Sequence, residues 1–415
     1  MALKSARWLF LAYVVLLPIV RPLNFRYLGI HILLTDVIFA AALAFWILSF
    51  RHRRPVLDRR YAAFVGAFLV ALVVSAIFSI EPFKSAVKLA GVVYLIAISA
   101  ITIDLIRDAD YLKRLTIAWL IGTLITVLGT IAGVTGYYLG YDTLSTNFFL
   151  FHSGSLPVGN YPRVMAFFEN PNMTANYLNV SIMLVLAAGR VGWFSLRTSL
   201  LAALSIFGAA LFTISAGLGG LILSVSLWIA FAFSGVNRYL RGAVLVGGFL
   251  IAFLAVLSSS IAPVARESPH TTTIPFIDVR IEPSVRSLVW TNALERGMEY
   301  PLLGRGTGTD AAEVRYVALS GQRQILRDAH QAWLNVFGQA GLVGLLAFIA
   351  LGVYLVSICR FRISSESVQA VFLAACSCAF VGAFLLQNLF GSFEDARHLW
   401  VLIGMMVGLN RPSTD

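Results

Sequence analysis

The sequence predicts an all-α protein that crosses a membrane many times. Of its 415 residues, 59% are hydrophobic and only 12% are charged, about half the roughly 25% that is usual in a soluble domain. A water-soluble fold of this size could not cover its surface with so few charges, and a disordered chain would be far less hydrophobic. Several apolar runs also reach about 20 residues, the length that crosses a hydrocarbon core of roughly 30 Å.

Apolar segments predict about twelve transmembrane helices. The first one follows Lys4 and Arg7 and resembles a signal peptide, but no cleavage site of small residues comes after it, so we expect a retained span. We expect three parts: residues 1–260 with nine spans, a long connection over 261–329, and residues 330–415 with three spans. The predicted spans are 8–22, 30–50, 61–80, 86–103, 115–135, 174–189, 199–214, 218–234, 242–260, 331–358, 368–389 and 397–410.

The charges between the predicted spans indicate the orientation of the chain. Connections on the same side as the N-terminus carry the whole net charge of +11, whereas those on the other side sum to zero. Basic residues concentrate in cytoplasmic loops, so both termini are expected in the cytoplasm. Two long segments, 136–173 and 261–329, are then expected outside it. The basic character therefore reflects topology, and we expect no nucleic-acid partner.

The segment 261–329 is unusual in its charges, because it contains eight arginines, eight acids and no lysine. Arginine presents a planar fork that binds phosphate through two hydrogen bonds, and it stays charged near lipid. Because the charges cancel, we expect most of these arginines to pair with carboxylates and two or three to face a site.

Two local patterns stand out inside this segment. Residues 284–300 have an apolar stripe at helical spacing, with Arg286 and Trp290 four residues apart, and they predict an amphipathic helix that Pro301 ends. The glycine-rich stretch 304–308 lacks the Lys-Ser/Thr ending of a phosphate-binding P-loop and does not follow a predicted strand, so it is interpreted as a turn.

Two further patterns lie at the predicted outer boundary of the membrane. Asn170-Pro-Asn172 opens the sixth span with a good helix cap, and the positive helix end there could attract an anion. His330 opens the tenth span, where a histidine could accept a proton near neutral pH or anchor a helix end. Gly338, Gly341 and Gly344 follow at three-residue spacing and are expected to make close helix contacts.

Five stretches, in this order, resemble the O-antigen ligase and polymerase superfamily over roughly residues 160–360. The family often has Ser-Arg-Gly where this chain has Ser215 to Gly220 without an arginine, and often has Asn where this chain has Gln331. The layout of twelve helices with one large outer loop also fits. The stretches are Arg163 with Asn170-Pro-Asn172, Arg286 to Trp290, Pro301-Leu-Leu-Gly-Arg-Gly306, Asp328-Ala-His330-Gln-Ala-Trp-Leu334, and Gly341-Leu-Val-Gly344.

The resemblance implies a glycosyltransferase C-like enzyme of the bacterial inner membrane, with its active site facing the periplasm. The ligase branch transfers a glycan from undecaprenyl diphosphate to the lipid A-core of lipopolysaccharide. His330 is then expected to deprotonate the acceptor hydroxyl in a single displacement that inverts the anomeric carbon. Arginines are expected to stabilise the departing diphosphate. The implied diphosphate-binding residues are Arg163, Arg286 and Arg266, and the supporting residues are Asn170, Asn172, Trp290 and Arg327.

No cofactor is expected, and no metal, because the outer segments contain no HExxH, DxD or acidic cluster. The expected partners are the undecaprenyl diphosphate-linked donor, the lipid A-core acceptor and membrane lipids. A polymerase of the same superfamily, which adds the glycan to another lipid-linked repeat unit, stays open as the alternative. A transporter is less favoured, because transporters place charges near the membrane midplane and the predicted spans are nearly free of charge apart from Asp36.

Overall fold

The computed structural model describes residues 1–20, 24–27, 30–106, 108–141, 150–156, 159–215, 217–232, 237–263, 272–274, 279–283, 285–317, 323–362 and 367–410. Over these residues the protein is mostly helical, as the sequence predicts. Arg266, one of the three predicted diphosphate-binding residues, lies outside the described residues.

Helices account for all the apolar segments of the described chain. Twelve of them coincide with the predicted spans, and α10 coincides with the predicted amphipathic helix. The helices are α1 (Ala2–Leu16), α2 (Leu34–Leu48), α3 (Arg59–Ile77), α4 (Pro82–Leu105), α5 (Ala109–Tyr138), α6 (Pro171–Arg190), α7 (Leu196–Leu211), α8 (Gly217–Ala232), α9 (Arg238–Ser260), α10 (Val285–Glu299), α11 (Ala332–Ser357), α12 (Val368–Phe380) and α13 (Arg397–Leu409). A π-helical turn (Val381–Leu386) and a 3-10 turn (Gln387–Leu389) continue α12, and a 3-10 turn (Ser49–Arg51) continues α2.

Six helices in the described chain are long and apolar enough to cross a membrane, by length and composition. This is the pattern of a membrane-embedded protein, whereas the number of twelve spans stays a prediction. The six are Leu34–Arg51, Arg59–Ile77, Pro82–Leu105, Ala109–Tyr138, Ala332–Ser357 and Val368–Leu389.

The bounds predicted for the first span were wrong. The helix extends over Ala2–Leu16, so that Lys4 and Arg7 lie within it and not ahead of it. It ends before Pro18 because a proline ring blocks continuation of a helix and removes a backbone donor. Periodicity alone places an apolar helix correctly but does not fix where its polar first turn begins.

Short antiparallel hairpins lie between the helices, and the all-α prediction missed them. In the described chain β1 (Asn24–Tyr27) pairs with β2 (Ile30–Leu33), and β3 (Leu150–Leu156) pairs with β4 (Gly159–Val164). In the segment 261–329, β7 (Val279–Pro283) lies between β5 (Ile261–Pro263) and β6 (Thr272–Ile274), and β8 (Val314–Val317) pairs with β9 (Arg323–Leu326).

The core of the bundle surrounds α6 and α13, the helices with the most continuous burial. Tyr177 of α6 stacks on Trp119 of α5 at 5.1 Å between ring centroids. Close backbone approach brings α13 against α4, since a Cβ on Gly404 would lie 2.6 Å from Thr102. By contrast, Leu124 of α5 is among many large apolar side chains that stay exposed, as expected for helices that face lipid.

One end of the bundle, here called the site end, is where α4, α11 and α13 begin. The chain after α10 inserts there into a break in α11. Gly341 has φ of 62° and interrupts the helix, and Leu342 N–H donates to the Pro301 carbonyl at 2.8 Å instead of to a helical partner. Gly304, with φ of 69°, passes so close to α11 that a Cβ would lie 2.3 Å from the Gln339 carbonyl oxygen.

This insertion explains the glycines of the stretch 304–308 and Gly341 of α11. The stretch 304–308 is a turn, as predicted, but its backbone donors are used by α11. Arg305 N–H donates to the Gly338 carbonyl at 3.1 Å, and Gly306 N–H donates to the Gln339 carbonyl at 3.0 Å. The expectation of simple helix contacts at Gly341 was wrong, because only glycine can adopt the conformation of this break.

Candidate active site

The predicted base, His330, lies in a tight turn directly before α11. Its φ of 50° is in the left-handed region, which is uncommon for a residue with a side chain and costs conformational energy. Asp328 closes the turn, because its Oδ1 accepts the His330 N–H at 2.6 Å. The same oxygen lies 3.5 Å from His330 Nδ1, so this carboxylate faces both the backbone and the ring.

Two polar side chains hold the Asp328 carboxylate. Asn335, in the first turn of α11, donates from Nδ2 to Asp328 Oδ2 at 2.8 Å, and its Oδ1 accepts the Ala329 N–H at 2.8 Å. Ser392, in the connection between α12 and α13, donates its hydroxyl to Asp328 Oδ1 at 2.6 Å. The turn is therefore fixed from two elements that are distant in sequence.

The amphipathic helix α10 packs beside this turn. Val289 and Ala293 on its inner face are fully buried and belong to one small apolar cluster with Ala329, the residue between Asp328 and His330. Arg286 lies one helical turn before Val289 and is half-buried. The helix is amphipathic as predicted, but its buried face is formed by Val289, Ala293 and Gly297, whereas Leu288 and Leu294, which were predicted to belong to the apolar stripe, are exposed.

Arg286 is a partly buried cation that lies near a second cation, Arg163. Within the described residues no carboxylate lies within ion-pair distance of its guanidinium. Burial lowers the pKa of Arg286, and the nearby positive charge of Arg163 lowers it further. A buried cation beside a second cation is energetically unfavourable in isolation, so an anion bound between the two would relieve this repulsion.

Arg163 comes from β4, far from α10 in sequence. Its Nε donates to the Thr213 carbonyl at 3.4 Å, and the neighbouring Val164 N–H donates to the Phe212 carbonyl at 2.9 Å. These bonds dock the end of β4 on the end of α7. Arg286 is thereby brought within electrostatic range of Arg163 on one side and of His330 on the other.

The surroundings of His330 favour its neutral form. Burial lowers its pKa, the positive charge of Arg286 lowers it too, and the negative charge of Asp328 opposes both. The imidazole is still 40% exposed, so another molecule can reach it. A neutral, accessible imidazole next to a carboxylate is an arrangement that can accept a proton.

Most of the other described arginines in the long connection are paired with acids, as predicted from the cancelling charges. Arg327, expected to support the site, is 61% exposed, and its Nε lies 3.6 Å from Asp310 Oδ2. The remaining pairs are Arg296 with Glu313 at 3.4 Å, Arg305 with Glu299 at 2.8 Å, and Arg315 with Glu313 at 3.2 Å.

The other supporting residues have distinct positions. Asn170 caps α6, because its Oδ1 accepts the Met173 N–H at 2.9 Å. Asn172 borders a small cleft next to Gln387 and Phe390, and its buried Oδ1 has no hydrogen-bond donor within the described chain. Trp290, one turn after Arg286, likewise has a buried indole N–H without an acceptor among the described residues.

Sequence reasoning missed three residues near Asp328. Asn335 and Ser392 donate to its carboxylate, and Glu394 contacts Asn335. Asn335 Nδ2 lies 2.7 Å from Ser392 Oγ and 3.2 Å from Glu394 Oε1. A signal was present, since Asn335 is a polar residue near the start of an apolar helix and such residues are frequently functional. The contact itself joins residues 59 apart in sequence and required the folded bundle.

No family model matches this chain, and no curated protein is significantly similar to it in sequence. Within the described residues no group of three or more His, Cys, Asp or Glu side chains could hold a metal ion. Metal independence stays a prediction. Arg286, which has no carboxylate partner among the described residues, lies between Arg163 and the accessible His330, whose neutral form is favoured.

Proposed function

We propose that this protein is an O-antigen ligase. It would transfer a glycan from undecaprenyl diphosphate to the lipid A-core on the periplasmic face of the bacterial inner membrane. The observation that carries the proposal is the position of Arg286, which has no carboxylate partner among the described residues and lies within electrostatic range of both Arg163 and His330. The resemblance of the sequence supports the assignment of the substrate class.

Each residue suits one demand of this reaction. Diphosphate is a good leaving group that needs positive charge as it departs, and the two arginines supply it. The acceptor hydroxyl loses a proton as it attacks the anomeric carbon, and the neutral imidazole of His330 accepts it. The attack forms the new carbon–oxygen bond on the face opposite the breaking bond to diphosphate, so one displacement inverts the anomeric centre.

The decisive experiment replaces His330 with alanine and profiles lipopolysaccharide from cells that lack the chromosomal copy. Loss of the base is expected to lower transfer by about 10²-fold or more, so that core without O-antigen accumulates. Arg315→Ala is the matched control, since Arg315 is 78% exposed and pairs with Glu313. An unchanged O-antigen ladder in His330→Ala, at equal protein level, would refute the role of base.

The deletion phenotype separates ligase from polymerase. Cells without a ligase carry bare core, whereas cells without a polymerase carry core with a single repeat unit. Purified protein in vesicles addresses the transporter alternative, because saturable uptake of a solute without sugar transfer would contradict both enzyme assignments.

A further inference from the structure

Glu394 is a buried acid whose role the proposed reaction does not assign. It lies between α12 and α13, and 9% of its surface is exposed. Trp400 donates its indole N–H to the Glu394 carbonyl at 2.8 Å, which fixes the backbone at this position. The Oε2 atom is buried and has no hydrogen-bond partner among the described residues. A charged carboxylate would be costly in this position.

The charged groups around Glu394 do not neutralise it. The lysine that faces this region, Lys88 of α4, contacts the neighbouring Asp395 instead. Asp328 approaches from the turn before α11 and also carries negative charge. Three carboxylates would therefore share one lysine, and like charges at short range favour a proton on one of them. Asp328 and Asp395 are about half exposed, at 47% and 50% of their side chains, so Glu394 is the one that burial most disfavours as an anion.

The electrostatics agree with this assignment. Burial raises the pKa of Glu394 to about 8, with Asp395 and Asp328 contributing in the same direction and Lys88 opposing them. Near neutral pH the side chain is mainly the uncharged acid. Its protonated form also suits the unpartnered oxygen, because a neutral carboxyl group loses less hydration than a carboxylate when it is buried.

Asn335 connects Glu394 to the candidate base. Its Nδ2 group has only two protons, and it faces Asp328 Oδ2 at 2.8 Å, Ser392 Oγ at 2.7 Å and Glu394 Oε1 at 3.2 Å. A neutral Glu394 is a weaker acceptor than a carboxylate, so its Oε1 helps to orient the Asn335 amide without drawing it away from Asp328. An ionised Glu394 would compete for the amide and weaken its bond to Asp328, the residue that closes the His330 turn.

We propose that Glu394 is held as a neutral carboxylic acid and that it acts, through Asn335, as a positioning residue for the Asp328–His330 turn. The positioning role rests on the proposed function, whereas the protonation state does not. Because the turn holds His330 at a strained φ, a small shift of the Asn335 amide would displace the imidazole. Transfer is therefore expected to fall as pH rises through about 8, the range in which Glu394 ionises.

Infrared spectroscopy of the purified full-length protein tests the protonation state without any substrate. We expect the carbonyl stretch of a buried carboxylic acid at pH 7 and its disappearance as pH rises through about 8. The band should be absent from Glu394→Gln and retained in Glu299→Gln, whose acid is 55% exposed and pairs with Arg305. Absence of the band from the wild type at pH 7, or its persistence in Glu394→Gln, would overturn the proposal.

The pH profile of transfer tests the positioning role. Glu394→Gln keeps an acceptor for Asn335 but cannot ionise, so it should retain activity at pH 7 and lose the alkaline fall. Glu394→Leu removes the acceptor and should lower transfer by about tenfold or more at every pH, because small displacements of catalytic groups are costly. A Glu394→Gln profile that falls exactly as the wild type does would reject the positioning role. Full transfer by His330→Ala would instead reject the proposed function and leave the infrared result standing.

Discussion

Asp104 and Glu394, two buried acids at opposite ends of the helix bundle, differ in how completely their oxygens are hydrogen-bonded. At the end opposite the site, Asp104 has a fully buried side chain, and every hydrogen bond it needs is present. Its two oxygens accept from Trp46 Nε1 at 2.7 Å, from Val56 N–H at 3.0 Å, and from both terminal nitrogens of Arg53. At the site end, Arg286 has no carboxylate partner within the described residues, and Glu394 has an oxygen without a donor.

This difference distinguishes charges that hold the fold from charges that await another molecule. A buried ion pair costs desolvation energy and is tolerated when its geometry and hydrogen bonds are complete, as they are around Asp104. A buried polar group without a hydrogen-bond partner has the same desolvation energy but no interaction that offsets it. Such groups in native structures often have a functional explanation. For Arg286 and Glu394, the contrast with Asp104 supports the proposal that the site end is the working face of the protein.

The largest expected effect concerns the opposite end. Asp104→Ala leaves Arg53 and the Trp46 indole without their acceptor, and loss of one partner from a buried pair typically costs about 3–5 kcal/mol. We expect a markedly lower melting temperature and a lower protein level, with transfer per folded molecule unchanged. Thermal unfolding in detergent measures the first effect, and transfer normalised to folded protein measures the second.

Selective loss of transfer in Asp104→Ala, with stability unchanged, would remove the distinction between the two ends. Asp58 offers a matched control on the same side of the bundle. It caps α3 by accepting the Tyr61 N–H at 2.8 Å, and its replacement by alanine should cost only about 1 kcal/mol.

At the site end we expect the opposite result, namely a loss of transfer with little change in stability. Arg286→Lys keeps the positive charge but loses the planar fork, so transfer should fall by about 10- to 100-fold while the melting temperature stays close to that of the wild type. Arg286→Gln removes a charge that lowers the pKa of His330. The acid limb of any residual activity should then shift to higher pH, because His330 would be protonated more readily.

Steady-state transfer assays between pH 5 and 8 measure both effects. A strongly destabilised Arg286→Lys would indicate that this arginine holds the fold as Arg53 does. Unchanged transfer would argue against recognition of a phosphate by two hydrogen bonds.

The same contrast defines what the sequence could predict. Arg286 was predicted as a phosphate-binding residue from the chemistry of arginine and from the family resemblance, and His330 was predicted from its position at the start of an apolar helix together with that resemblance. Their roles stay predictions. Both depend on patterns within one element, which a sequence shows directly.

The partners of Asp328 were not predictable, because they depend on how distant elements meet. Ser392 reaches Asp328, and Glu394 reaches Asn335, only when the connection between α12 and α13 packs against α11. The break at Gly341 was missed for a similar reason: a glycine within an apolar helix has the same pattern whether it contacts a neighbour or interrupts the helix. The pairing of most loop arginines was expected from charge balance, but the lack of an acid beside Arg286 among the described residues followed only from the fold.

The smallest expected effect concerns the stability contributed by Glu394. Its pKa of about 8 in the folded protein lies well above the ordinary value of a glutamate, so the folded state holds this proton over a range in which the unfolded chain has lost it. Wild-type stability should therefore decline as pH rises from the ordinary glutamate pKa towards 8. Glu394→Gln has no proton to lose, so its melting temperature should exceed that of the wild type by a few degrees at pH 8.5, and the difference should shrink towards pH 5. A constant difference across this range would mean that Glu394 is not the protonated acid of the cluster, and the contrast between the two ends would then rest on Arg286 alone.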